Sequence, residues 1–110
     1  MIYLSRFAEN LSTLISGGLP IARALEITSD IVGNTIYKEI IIQTRDGVRR
    51  GESISSILAL FPNEFTPVFI QMTLVGERSG TFEKTLLNIV DFYQKEIDRT
   101  TENLISVLEP

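Results

Sequence analysis

The sequence predicts an all-α fold, a compact bundle of about six antiparallel helices with short Gly/Pro loops and a long C-terminal helix. Three observations carry this. Apolar residues recur at steps of three and four through most of the chain, the spacing of a helix face turned to a core. The breaks between those runs hold Gly, Pro, Asn, Ser or Thr, which stop and cap helices. No stretch sustains the period-two alternation of a strand, and the one β-branched-rich run, Lys38 to Gln43, has helix-favouring flanks.

The first helix reads from Leu4 to Ile15, with Leu4, Phe7, Ala8, Leu11, Leu14 and Ile15 on one stripe. Ser16-Gly17-Gly18 ends it, because glycine just past a helix accepts the left-handed cap conformation. Pro20 suits a first helical position, and Ile21, Ala24, Leu25 and Thr28 continue the stripe, so two helices meet across a very short turn. Asn34 caps a third helix, Thr35 to Arg50, with Tyr37, Ile40, Ile41, Thr44 and Val48 inward and Gly51 as its stop. Ser53 caps a short helix, Ile54 to Leu60, ended by Phe61-Pro62. Thr66-Pro67 is a cap followed by a first-turn proline, opening a helix to Leu74 that carries Val68, Phe69 and Met72, with Val75 after them.

Val75 to Thr81 reads as the corner on which the bundle folds back. Gly76 and Gly80 supply left-handed or close-packed backbone without a side-chain penalty. Thr81 caps the sixth helix, and Glu77 near its positive end is expected to accept backbone N–H groups around Ser79 to Phe82. That helix, Phe82 to Leu108, places Leu86, Leu87, Val90, Tyr93, Ile97, Leu104 and Leu108 along one side. Its other side carries Asp91, Lys95, Glu96, Asp98, Arg99 and Glu102. The corner is a poor phosphate loop, having neither a Gly-Lys-Ser/Thr ending nor a preceding strand.

At 110 residues the chain fits one domain, and 44% hydrophobic with 22% charged residues is the balance of a folded protein. A net charge of −4 does not favour nucleic acid or an anionic membrane surface. With no cysteine, neither disulfides nor thiolate chemistry is available, and with no histidine the commonest general base and zinc ligand are missing. No catalytic residue, cofactor or metal site is predicted. No apolar run approaches the ~20 residues that span a bilayer, and Met1 to Phe7 lacks the pattern of a secretory signal.

Several features admit two readings. Arg45, Arg49 and Arg50 form either a basic patch for an acidic partner or lipid head groups, or cations placed favourably at a helix C-terminus. Asp91 and Glu96, with Asp98 and Glu102, offer a basic partner or a divalent cation an acidic face. Without EF-hand spacing, the plainer reading is a solvated surface with Lys95 and Arg99 as i,i+4 partners. Leu19, Tyr37, Phe61, Phe65 and Phe69 are core or an apolar interface, and self-association would take C2 symmetry by default.

The punctuation also forms an ordered series. It runs Phe7-Ala8, Leu11, Leu14-Ile15, Gly17-Gly18-Leu19-Pro20 and Ala24-Leu25, then Val48, Gly51-Glu52-Ser53-Ile54 and Phe61-Pro62. Gly76-Glu77-Arg78-Ser79-Gly80 and the closing Leu108-Glu109-Pro110 complete it. In this series the chain resembles the cytoplasmic domain of the type II secretion system F family, the inner-membrane platform proteins of type II secretion and type IV pilus assembly. The resemblance implies two copies of such a domain in the parent protein, each leading into membrane-spanning helices. Asp91 to Asp98 and Glu109-Pro110 resemble the second copy, so the chain is expected to be a cytoplasmic piece ending just before a transmembrane helix of a bacterial inner-membrane protein.

It further implies a non-enzymatic role, coupling a cytoplasmic hexameric assembly ATPase to extrusion of a pilin-like filament. Contacts with that ATPase and other inner-membrane components, and a homodimer or higher homo-oligomer, follow as expected partners. Two other classes compete. One is a free-standing helical regulatory or DNA-binding domain using Arg45, Arg49 and Arg50, which the net charge opposes. The other is a small enzyme using Glu, Asp, Lys or Tyr, for which no residue pair has a suggestive spacing.

Overall fold

A computed structural model describes residues 1–108, with side chains as far as residue 105. Glu109 and Pro110 of the closing motif lie outside the described residues, as does the side chain of Leu108. Six helices follow one another among the described residues: α1 (Ile2–Ser16), α2 (Ile21–Ile31), α3 (Thr35–Arg49), α4 (Ile54–Leu58), α5 (Pro67–Ser79) and α6 (Phe82–Leu108). None is long and apolar enough to cross a membrane.

Local chemistry starts three of them. Asn34 Oδ1 accepts the N–H groups of Ile36 and Tyr37 at 2.9 and 3.1 Å, Ser53 Oγ accepts Ser56 N–H at 3.3 Å, and Thr66 Oγ1 accepts Phe69 N–H at 3.2 Å. Each meets a first-turn donor that has no partner inside its own helix. Pro67 occupies the first turn of α5, where its missing N–H costs nothing.

α2 packs on α3, α1 on α6, and α5 on α6, while α4 bridges α3 and α5. The stripes of α1, α2 and α3 face inward: Leu4, Phe7, Ala8, Leu11, Ala24, Leu25, Ile40 and Ile41 are all buried. A chain of aromatic rings ties the elements together, Tyr3 to Tyr37, Tyr37 to Phe65, Phe65 to Phe69 and Phe69 to Tyr93, with centroids 5.2–6.0 Å apart. Edge and tilted pairs at that spacing add about 0.5–1.5 kcal/mol each beyond the area they bury. Phe65 and Phe69 therefore belong to the core, with Leu19, Tyr37 and Phe61 packed against it. Buried Thr28, Thr44 and Thr73 return their hydroxyls to the carbonyls four residues back, so their polar atoms are satisfied within their own helices.

Three readings need correction. α5 continues to Ser79, five residues past Leu74, which puts Gly76 and Glu77 inside a helix rather than in the corner. α4 stops at Leu58, short of Leu60. On α6, Leu87 is 55% exposed and Ile89 is buried in its place, because the core-facing row is Leu86, Ile89, Val90, Tyr93 and position 87 is turned ~100° from it. Val68 and Val75 likewise face outward from α5.

Candidate functional site

Three of the turns marked by glycine gather at one end of the bundle. After α1, Gly17 keeps right-handed backbone (φ −76°) and Gly18 takes the left-handed one (φ 94°). Gly18 N–H reaches Ile15 O at 2.9 Å and Leu19 N–H reaches Leu14 O at 3.2 Å, the paired closure of a Schellman cap. Pro20 then occupies the N-cap of α2, one place before its first helical residue. α3 closes in the same manner through Gly51 (φ 89°), with Glu52 N–H on Gly47 O at 2.9 Å. α5 ends at Gly80 (φ 71°), and Thr81 N–H reaches Gly76 O at 3.0 Å. The corner itself is thus only Gly80-Thr81. The Thr81 hydroxyl meets Ser79 Oγ at 2.6 Å, where the reading of the sequence expected an amide of the next helix.

Close approach, not backbone conformation, explains the helical glycines. A Cβ at Gly76 would stand 2.5 Å from Thr85 Oγ1 and 2.7 Å from Thr85 Cβ, so α5 and α6 touch here at the distance only hydrogen allows. A Cβ at Gly47 would stand 2.2 Å from Ile57 Cδ1 and 2.7 Å from Glu52 Oε2, where α4 and its entry loop press on α3.

Glu77 does not serve the turn into α6. Its Oε1 accepts Ser55 N–H at 2.8 Å and its Oε2 accepts the Ser55 hydroxyl at 3.0 Å. Ser55 is the second residue of α4, so Glu77 on α5 caps a different helix from outside, beside the cap that Ser53 supplies. At the same end Ser16 Oγ donates to Glu83 Oε1 at 2.6 Å, joining the last residue of α1 to the first turn of α6. Between these contacts opens a cleft of about 270 Å³ lined by Ile21, Val48, Glu52, Ser53, Ile54, Glu77 and Phe82.

The basic candidates are each paired with a carboxylate of the chain. Arg45 reaches Asp46 Oδ1 at 2.9 Å and Glu26 Oε2 at 3.8 Å, Arg49 reaches Glu26 Oε2 at 3.1 Å, and Arg50 reaches Glu52 Oε2 at 3.3 Å. Glu26, which also holds Arg23 at 2.9 Å, is the carboxylate on which α2 and α3 converge. Asp91 and Glu96 lie on exposed α6, away from the glycine end, paired with Lys95 at 3.0 Å and Arg99 at 2.8 Å. Among the described residues, no group of three acidic side chains is arranged to hold a metal ion. No buried side-chain nitrogen or oxygen there lacks a hydrogen-bond partner.

Ser55, Gly47, Ile57 and Thr85 were missed by reasoning from sequence. An isolated glycine inside the helical pattern of α3 is the one signal that could have raised Gly47. Nothing local marks Ser55 or Thr85, whose roles exist only once helices meet.

Comparison with known proteins finds matches along nearly the whole chain. A family profile described as "Type II secretion system (T2SS), protein F" matches residues 7–110. A type IV pilus assembly protein PilC from Thermus thermophilus is 32% identical over 107 residues, covering 97% of this chain and 26% of the relative. A protein of the same name from Myxococcus xanthus is 35% identical over 112 residues, covering 99% and 26%. A type II secretion system protein F from Xanthomonas campestris pv. campestris is 33% identical over 92 residues, covering 84% and 23%. The chain spans about a quarter of the length of these curated relatives.

Proposed function

Because the chain belongs to the type II secretion system protein F family, we propose that it is a non-enzymatic scaffold domain of an inner-membrane platform protein. In this reading it lies on the cytoplasmic side, as one helical copy within a longer membrane-anchored protein. It docks other components of a type II secretion or type IV pilus machine, among them the assembly ATPase whose action drives filament extrusion. A homodimer or higher homo-oligomer is the form in which it would act.

The observation that carries the reading is the match along residues 7–110, which takes in the three glycine-marked turns gathered at one end. The geometry supports it in a second way. Cross-helix contacts at Gly47, Gly76 and Glu77 hold the turn-bearing end in one arrangement, as a docking surface requires if binding is not to cost ordering entropy. A DNA-binding reading loses its main support, since Arg45, Arg49 and Arg50 are each engaged by a carboxylate.

The test is binding of the isolated domain to the assembly ATPase encoded with it, by biolayer interferometry. It is paired with deletion of the domain from the full-length protein and an assay of piliation or secretion. Saturable binding and loss of assembly are expected. No binding, together with normal assembly by the deleted protein, would overturn the proposal.

A further inference from the structure

The cleft at the glycine end has a chemical character of its own. Ile21, Val48, Ile54 and Phe82 give it apolar walls, and its two ionisable lining residues, Glu52 and Glu77, are both carboxylates. Among the described residues, no basic side chain lines it. At about 270 Å³ it falls just under the ~300–1,000 Å³ of sites for small organic ligands, and suits one long side chain.

The two carboxylates retain acceptor capacity. Glu77 uses each oxygen once, toward Ser55, whereas an ionised carboxylate offers about four acceptor positions. Glu52 is engaged by Arg50 through Oε2, while Oε1 has no protein partner among the described residues, and its side chain is 50% exposed. An apolar or anionic guest would leave this acceptor capacity unused, and a neutral donor would leave the two carboxylate charges unmatched. A cation with an aliphatic stem fills the walls and meets the rim together.

The geometry points to this cleft as a receptor for a single arginine or lysine side chain projected by a partner protein. The methylene stem lies against Ile21, Val48, Ile54 and Phe82, and the charged head sits at Glu52 and Glu77. The inference rests on the reading of the chain as a docking domain and adds the partner's chemistry: an exposed basic residue flanked by apolar ones.

The test is a nitrogen-15 NMR titration of the chain with acetylated, amidated Leu-Ala-X-Ala-Leu peptides, where X is arginine, lysine, norleucine or glutamate. The arginine and lysine peptides should shift the amides of Glu52, Ser53, Ile54, Glu77 and Phe82, and the norleucine peptide should bind several-fold more weakly. Glu52→Gln, on an exposed loop and outside the α4 cap, should weaken the arginine peptide about two- to fivefold, the range of a partly exposed charge pair. Glu77→Gln, whose amide oxygen can still accept Ser55 N–H, should weaken it similarly while the melting transition confirms folding. Equal binding of the norleucine peptide, or shifts absent from the cleft, would overturn the inference. Either result, alongside retained ATPase binding, would remove the cleft's role and leave the scaffold reading standing.

Discussion

At the scale of single residues, Glu77 and the helical glycines hold the most information. Glu77→Ala leaves the Ser55 amide without its acceptor and should cost about 1 kcal/mol, as loss of a helix cap does. Amide exchange should quicken at Ser55 and stay unchanged at Phe82 to Thr85, which separates the observed clamp from a role in the corner. Gly76→Ala places a methyl group 2.7 Å from the stiff Thr85 Cβ, so the helices must part, at about 1–3 kcal/mol less the modest helix preference of alanine. Gly47→Ala meets the ends of Ile57 and Glu52, which can rotate, and should destabilise clearly less in parallel chemical denaturation. Tyr37 makes an alkaline prediction. Burial first, then the charge of Glu64, raises its phenol above the ordinary 10.0, while its hydroxyl donates to Glu64 O at 2.9 Å. The unfolded chain therefore loses this proton first. The stability the group supplies is complete below pH 10 and falls as pH rises through 10 toward the folded value. Comparing denaturation midpoints of the wild type and Tyr37→Phe across that interval should show a shallower alkaline loss in the variant.

At the scale of helices, what was legible in the sequence was what local chemistry decides. Asn34, Ser53 and Thr66 are caps because their side chains reach amides two or three residues on, and no distant partner is needed to see this. The α5 boundary was misread because glycine was taken as a stop, whereas Gly76 sits in the helix to let α6 approach. Glu77 was misassigned for a related reason: its partner lies 22 residues away, and two acceptable N-termini competed for one carboxylate. Charge was only partly legible where pairing crosses elements. Three arginines on α2 and α3 share Glu26, so part of the positive charge of the patch is offset by a carboxylate on the neighbouring helix. Glu26→Gln should change stability by less than ~1 kcal/mol, as expected of partly exposed pairs, yet raise retention on a heparin column. Unchanged retention would show that Asp46 and Glu52 alone suffice to mask the patch.

At the scale of the molecule, the extents are 55 × 29 × 26 Å, and α6 accounts for the long axis. Its 27 residues reach about 40 Å at ~1.5 Å per residue, whereas α1, its main partner, has 15. Leu86, Ile89 and Tyr93 are buried, but Leu104 and Ile105 are 64% and 51% exposed. Ending the chain after Arg99 should therefore move stability by no more than ~0.5 kcal/mol in a thermal melt, like other changes to exposed surface. A larger drop would mean that the last turns pack on something. The unequal support of α6 has a mechanical consequence. A beam held along its first half and free beyond is a lever whose fulcrum is the last buried contact, at Tyr93. A tilt of roughly 5° at Tyr93 sweeps the far tip by about 2 Å over the ~22 Å of helix beyond it. A tilt imposed on the packed half would thus reach the opposite pole of the molecule.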